Sequence, residues 1–197
     1  KIKVINKRNV WRIFSMQIDK DTQTLIDERI KNNAPPLESF TPQELRALRA
    51  KMAETPEELR VYISDVVDFT LKGTLGPITV RKYFNKQSNT VSNQKSPLII
   101  YFHGGGFVMG DLESHDLVCR HLCKQTNATI IAVDYKLAPE HKFPAAITDT
   151  IDSITEIISR ADEFNIDQNK VILCGDSAGG ALAAVGTIMS RDKLIPK

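Results

Sequence analysis

Three short apolar runs constrain this chain more than any other feature. They fall at residues 97–102, 128–133 and 170–174, and each is followed by a helical pattern, at 114–126, 143–165 and 178–191. A strand without polar alternation has both faces covered, as in a parallel sheet flanked by helices. Repeated strand–helix order is the α/β signature. The expected fold class is therefore α/β with a mostly parallel sheet. Two earlier runs, 62–71 and 77–84, also read as strands, joined by the turn Lys72-Gly73-Thr74-Leu75-Gly76. Ile78 and Val80 alternate with polar residues, so these two should form an antiparallel hairpin. That makes five strands.

Upstream, Leu25, Ile26 and Ile30 have helical spacing over 19–32, and Pro35 marks the end of that helix. Thr41-Pro42-Gln43-Glu44 starts a second helix. Thr41 and Glu44 form a capping box and Pro42 suits the first helical position. The expected organisation is a basic extension (1–15), an N-terminal helical segment (16–55) and an α/β domain (56–197).

Composition excludes several classes. Apolar residues are 42% and charged residues 25% of the 197, ordinary for a globule and wrong for a disordered or collagen-like chain. No apolar run approaches the ~20 residues of a membrane-spanning helix. Three cysteines are too few for a disulfide scaffold, so reduced thiols and a cytoplasmic setting are expected. The net charge of +2 hides an asymmetry: Lys1, Lys3, Lys7, Arg8 and Arg12 have no acid among them, and the rest of the chain is mildly acidic. The segment lacks the apolar stretch of a secretory signal. An unstructured extension ahead of Met16 is expected, rather than a nucleic-acid or membrane arm.

Gly175-Asp176-Ser177-Ala178-Gly179, followed by Gly180, directly joins a buried strand to a helix. This is the setting of a nucleophile elbow. So tight a turn leaves no room for side chains two residues either side of the serine, hence Gly175 and Gly179. It lifts the Ser177 hydroxyl above the sheet and aims the Ala178 amide and the helix N-terminus at the same point. A Walker A loop is excluded because no Gly-Lys-Ser/Thr follows. His103-Gly104-Gly105-Gly106 closes the strand 97–102, and its bare amides are free to turn toward an oxyanion. The glycine spacing also mimics a dinucleotide fingerprint ending at Asp134, but Gly110 comes one residue late and that reading leaves the elbow unexplained.

Together these stretches resemble the hormone-sensitive-lipase-like esterases, carboxylesterases with an α/β-hydrolase fold. So does 134–146, Asp134-Tyr135-Lys136-Leu137-Ala138-Pro139-Glu140 and onward, where the family usually has Arg at the place of Lys136. The resemblance implies Ser177 as nucleophile and an oxyanion hole from the amides of Gly104, Gly105 and Ala178. It implies that His103 fixes the glycine loop, with Gly106, Gly175, Gly179 and Asp176 in support, and that the N-terminal helices belong to a cap over the acyl pocket. It implies hydrolysis of small to medium acyl esters through an acyl-enzyme, with no metal or organic cofactor.

One part of the mechanism is missing. A serine nucleophile needs a base and a group to orient it, in the chain order Ser, Asp or Glu, His. Here His103, His115, His121 and His141 all precede Ser177, and the only later acid is Asp192. Asp176, beside the serine, reads as a local loop acid. The resemblance therefore implies an N-terminal fragment, with three further strands, the Asp and the His beyond Lys197, and a nearly inactive chain as it stands. A non-catalytic small-molecule binder of the same fold, or an inactive remnant, is the alternative. In a fragment, strand 170–174 would be an open edge, so self-association is expected. Cys119 and Cys123 share a helix face, and core packing is the expectation.

Overall fold

A computed structural model describes residues 18–33, 35–52, 59–85 and 95–192. The basic extension 1–15 lies outside them. The chain divides into two units, residues 1–40 and 41–197, so the boundary falls inside the helical segment 16–55.

In the first unit, α1 (Lys20–Lys31) begins at Asp19, whose carboxylate accepts from the Asp21 amide at 2.9 Å. A 3-10 turn, Leu37–Ser39, follows.

In the second unit, α2 (Pro42–Met52) opens with the expected capping box. The Thr41 amide donates to Glu44 Oε2 at 2.7 Å, and the Glu44 amide donates to Thr41 Oγ1 at 3.3 Å. Then come β1 (Asp65–Leu71), β2 (Ile78–Phe84), β3 (Ser96–Phe102), α3 (Asp116–Thr126), β4 (Thr129–Asp134), α4 (Ala145–Ser159), α5 (Ala161–Phe164), β5 (Ile166–Gly175) and α6 (Ala178–Arg191). The strands form one sheet in the order β1-β2-β4-β3-β5.

The sheet is mixed, which corrects the expectation of a mostly parallel one. β3 runs parallel to β4 and β5, but β2 pairs antiparallel with both β1 and β4. Burial of a strand shows in its own sequence, whereas the direction of its neighbour does not. The hairpin β1–β2 forms as expected, and β2 then docks onto β4 and carries the sheet on.

Alternate residues of the central strands feed two cores. Leu98, Ile100 and Phe102 of β3 face Ile154, Ile157, Phe164 and Leu182 from α4, α5 and α6. Ile99 and Tyr101 face the other way, with Cys119 and Cys123 of α3. Both thiols are buried and unbridged, in line with core packing, and burial pushes the Cys123 thiol up to about 11.

Two boundaries differ from expectation. The helix 143–165 breaks at Arg160 into α4 and α5. Its apolar face continues across the break through Ile157, Ile158, Ala161 and Phe164, so periodicity gave no sign of it. β5 starts at Ile166, earlier than 170, by way of an irregularity in its register with β3 between Ser96 and Leu98. Pro97, which has no amide to donate, sits at that irregularity, where it is tolerated. Among the described residues no strand lies beyond β5. Val171 and Leu173 pack partly against the α4–α6 side, and Ile172 is 59% exposed.

Candidate active site

The elbow is built from two residues. β5 ends at Gly175, α6 begins at Ala178, and only Asp176 and Ser177 connect them. Ser177 has φ 50° and ψ −115°, a conformation that L residues rarely adopt. The turn is that tight because the helix starts against the end of β3. A Cβ on Gly179 would lie 1.9 Å from the Phe102 carbonyl oxygen, and one on Gly175 would lie 2.5 Å from it. Both glycines are thus sterically required, as the sequence suggested. Gly180 has no comparable contact, its nearest neighbour being the Gly175 oxygen at 3.3 Å.

The glycine loop meets the elbow directly. The Gly104 amide donates to Asp176 Oδ1 at 2.8 Å. The sequence reading assigned that amide to an oxyanion, whereas here it already holds the aspartate. The amides of Gly105 and Ala178 have no hydrogen-bond partner among the described residues. Gly105, at φ 133°, and Gly106, at φ 64°, use the freedom of glycine. The Gly105 carbonyl is anchored by the Met109 amide at 2.9 Å and the Val108 amide at 3.1 Å.

His103 is buried, stacked on Tyr135 with ring centroids 4.3 Å apart, and its Nδ1 lies 2.9 Å from the Gly104 carbonyl. Burial lowers its pKa below the ordinary histidine value, so it is neutral near neutral pH. The Tyr135 hydroxyl donates to the His103 carbonyl at 2.7 Å. These contacts tie His103 to the glycine loop and to Tyr135.

Asp176 is more than a loop acid. Its Oδ1 accepts from the Tyr101 hydroxyl at 2.9 Å and lies 3.3 Å from His115 Nε2. Desolvation pulls this carboxyl upward, but Tyr101, His115 and the Gly104 amide outweigh it and hold it below the usual aspartate range. His115 is buried and precedes α3, with its Nδ1 3.0 Å from Ser114 Oγ. The sequence reading assigned neither His115 nor Tyr101 a part at this corner. Tyr101 meets Asp176 because β3 and β5 lie side by side, and His115 reaches it from the start of α3. His121 and His141 are exposed.

The stretch 134–146 buttresses the glycine loop. The Ala138 amide donates to the Phe107 carbonyl at 2.8 Å. Arg46, on α2, donates from Nε to the Val108 carbonyl at 2.7 Å and from Nη2 to the Ala138 carbonyl at 2.8 Å. It also grips both oxygens of Glu140, at 3.0 and 2.8 Å. The Arg46 hydrogen bonds push the Glu140 carboxyl down to about 2. Lys136 takes over the arginine's place: its Nζ is 3.3 Å from Asp149 Oδ1, and its amide donates to Oδ2 at 2.9 Å. Asp149 is wholly buried, and Lys136 is its cationic partner. Lys136→Met should lower stability by about 2–3 kcal/mol in urea unfolding, while Lys136→Arg should change it by less than about 1 kcal/mol.

A groove of about 510 Å³ runs beside β5, lined by Ile154, Ile158, Gln168, Val171, Leu173 and Arg191. Gln168 is near the start of β5 and Ser177 follows its end, so the groove is remote from the elbow. Among the described residues no cluster of His, Cys, Asp and Glu could hold a metal, and no helix is long and apolar enough to cross a membrane.

A strand–elbow–helix carrying a strained serine, faced by a glycine loop with an open amide, defines the α/β-hydrolase class. Residues 99–197 match the alpha/beta hydrolase fold family, and the chain belongs to it, in the hormone-sensitive-lipase-like carboxylesterase branch. It is similar to Esterase LipI of Mycobacterium tuberculosis, 37% identical over 148 residues, which are 75% of this chain and 46% of the relative. Among solved structures, the Pyrobaculum calidifontis esterase in its monoclinic form is 39% identical with a TM-score of 0.68, covering 79% of this chain and 50% of that one. EstE1, a thermostable carboxylesterase from a metagenomic library, is 36% identical with a TM-score of 0.73, covering 80% and 52%. The chain spans about half the length of these relatives.

Proposed function

We propose that the protein is a serine carboxylesterase acting on small to medium acyl esters through an acyl-enzyme. The carrying observation is Ser177, held at φ 50° between β5 and α6, together with the Gly105 and Ala178 amides, which have no partner among the described residues. Ser177 Oγ attacks the ester carbonyl, and its proton passes to a histidine. The carbonyl oxygen, now negative, takes hydrogen bonds from the Gly105 and Ala178 amides. Such donors are each worth roughly 100–1,000-fold in rate. The alcohol leaves with the returned proton, and water then releases the acid by the same steps in reverse. Gly104 contributes by tying the loop to Asp176 rather than by donating to the oxyanion.

The base lies outside residues 1–197 in this reading. His103 and His115 are buried and engaged elsewhere, and the chain spans about half of its relatives. The chain alone is nearly inactive for that reason. In this reading α2 contributes to a cap over the acyl pocket, and a cytoplasmic setting fits the three unbridged cysteines.

The test is to read the source DNA beyond the codon for Lys197 and assay the joined product with p-nitrophenyl acetate. An Asp followed by a His, with hydrolysis and a burst of one p-nitrophenol per Ser177, supports the reading. A continuation in which the His is replaced, with ligand binding but no turnover, replaces it with a non-catalytic receptor. Absence of any α/β continuation makes the chain a remnant.

The open edge yields a second expectation. β5 has β3 on one side and, among the described residues, no strand on the other. The isolated chain should therefore self-associate in sedimentation velocity at micromolar concentration, and Ile172→Lys should shift it toward monomer. A wild-type chain that sediments as a single monomer contradicts this.

A further inference from the structure

We propose that Arg46 is a positioning residue for the oxyanion loop: from α2 it clips the turn after the glycine run to the 138–140 loop, and so fixes the Gly105 amide. This rests on the esterase reading.

All three guanidinium nitrogens are used. Nε holds the Val108 carbonyl, Nη2 the Ala138 carbonyl, and Nη1 and Nη2 hold Glu140, across sequence separations of 62, 92 and 94 residues. The two carbonyls belong to separate loops that otherwise meet through the Ala138 amide and the Phe107 carbonyl. Val108 is also one of the two residues whose amides anchor the Gly105 carbonyl. A pull on the Val108 peptide is thus transmitted one hydrogen bond further, to Gly105. Glu140 keeps the fork in plane, and Gln43, one turn earlier on α2, supports Glu140 from 3.4 Å.

The Gly104–Gly105 peptide shows why such restraint matters. Its carbonyl is next to His103 Nδ1 and its amide hydrogen has no partner among the described residues. Gly105 and Gly106 both have positive φ, and glycine resists rotation out of such a state less than any other residue. An oxyanion donor gains its effect from being fixed before the reaction. Flexible glycines therefore need an external brace. A lysine could pair with Glu140 but lacks the planar fork that reaches two carbonyls as well.

The test uses Arg46→Lys, Arg46→Met and Glu140→Gln, with two readouts. The first is amide hydrogen exchange on the 197-residue chain, which needs no activity. Arg46→Lys and Arg46→Met should speed exchange at Val108, Met109 and Ala138 by about tenfold, leaving the β3 amides as they were. Glu140→Gln, which keeps both carbonyl contacts, should stay within about twofold. The second is p-nitrophenyl acetate hydrolysis by the joined, active enzyme. There both Arg46 variants should lose about 10- to 100-fold in kcat with KM little changed, and Glu140→Gln should retain most of kcat. Unchanged exchange, exchange raised evenly through the sheet, a loss confined to KM, or a Glu140→Gln variant as impaired as Arg46→Lys would each overturn the proposal. If the wild-type joined protein hydrolyses nothing, the esterase reading fails, while the exchange data still decide whether Arg46 braces the loop.

Discussion

Ser177→Ala is expected to lower kcat for ester hydrolysis by roughly 10⁵- to 10⁶-fold in the protein that unites this chain with its base. The fold should be untouched. Ser177 stands just before α6 but makes no capping hydrogen bond with its side chain, so the hydroxyl contributes nothing to the helix. Alanine inherits the same strained backbone. Glycine does not: at φ 50° and ψ −115°, Ser177→Gly removes a steric penalty and should raise stability by about 1 kcal/mol while leaving the enzyme equally dead. Unfolding curves for the three proteins check both halves. A Ser177→Gly protein less stable than Ser177→Ala would show that the elbow is not strained. Residual hydrolysis within tenfold of wild type would remove Ser177 from the chemistry.

Gly179→Ala should be the most damaging single methyl group in the chain. The new Cβ would lie 1.9 Å from the Phe102 oxygen and 2.7 Å from the His103 oxygen, both backbone. Neither can swing aside, because Phe102 is paired in the sheet with Val133 and Gly175. α6 must therefore move off β3, and with it the elbow. The expected loss is about 3 kcal/mol or more. Gly180→Ala, one residue on, meets the Gly175 oxygen at 3.3 Å, and alanine is the better helix former. It should change stability by less than about 1 kcal/mol. Equal costs at the two positions would mean that helix propensity, and not contact with β3, decides.

What the sequence revealed was mostly local. The strands 97–102 and 128–133 were legible because they are apolar on both faces, and Thr41-Pro42-Gln43-Glu44 announced α2. The elbow and the glycine run were legible as short motifs, Gly175-Asp176-Ser177-Ala178-Gly179 and His103-Gly104-Gly105-Gly106, although the carbonyl that bars a side chain at Gly175 and Gly179 belongs to Phe102 on β3, far away in sequence. The break at Arg160 was hidden by an apolar face that runs through it. The direction of β2 against β4 was hidden because pairing is a property of two strands and not of one. Tyr101, His115 and Arg46 were missed for a related reason. Their partners lie 60 or more residues away. Only the charged Glu140, four residues past the lysine that stands where the family has arginine, offered a hint that 134–146 needed a cation from elsewhere.

The order of the sheet also sets a timetable. β1 and β2 are joined by a short turn and can zip as soon as both have been made. The β3–β5 ladder instead brings together residues as far apart as Leu98 and Val171, after α3, β4, α4 and α5 have been threaded between them. Closing so long a loop is entropically slow. The contacts of Asp176 with Tyr101 and Gly104 depend on that ladder. On the ribosome, then, the hairpin would already be old when the serine first meets its glycine loop.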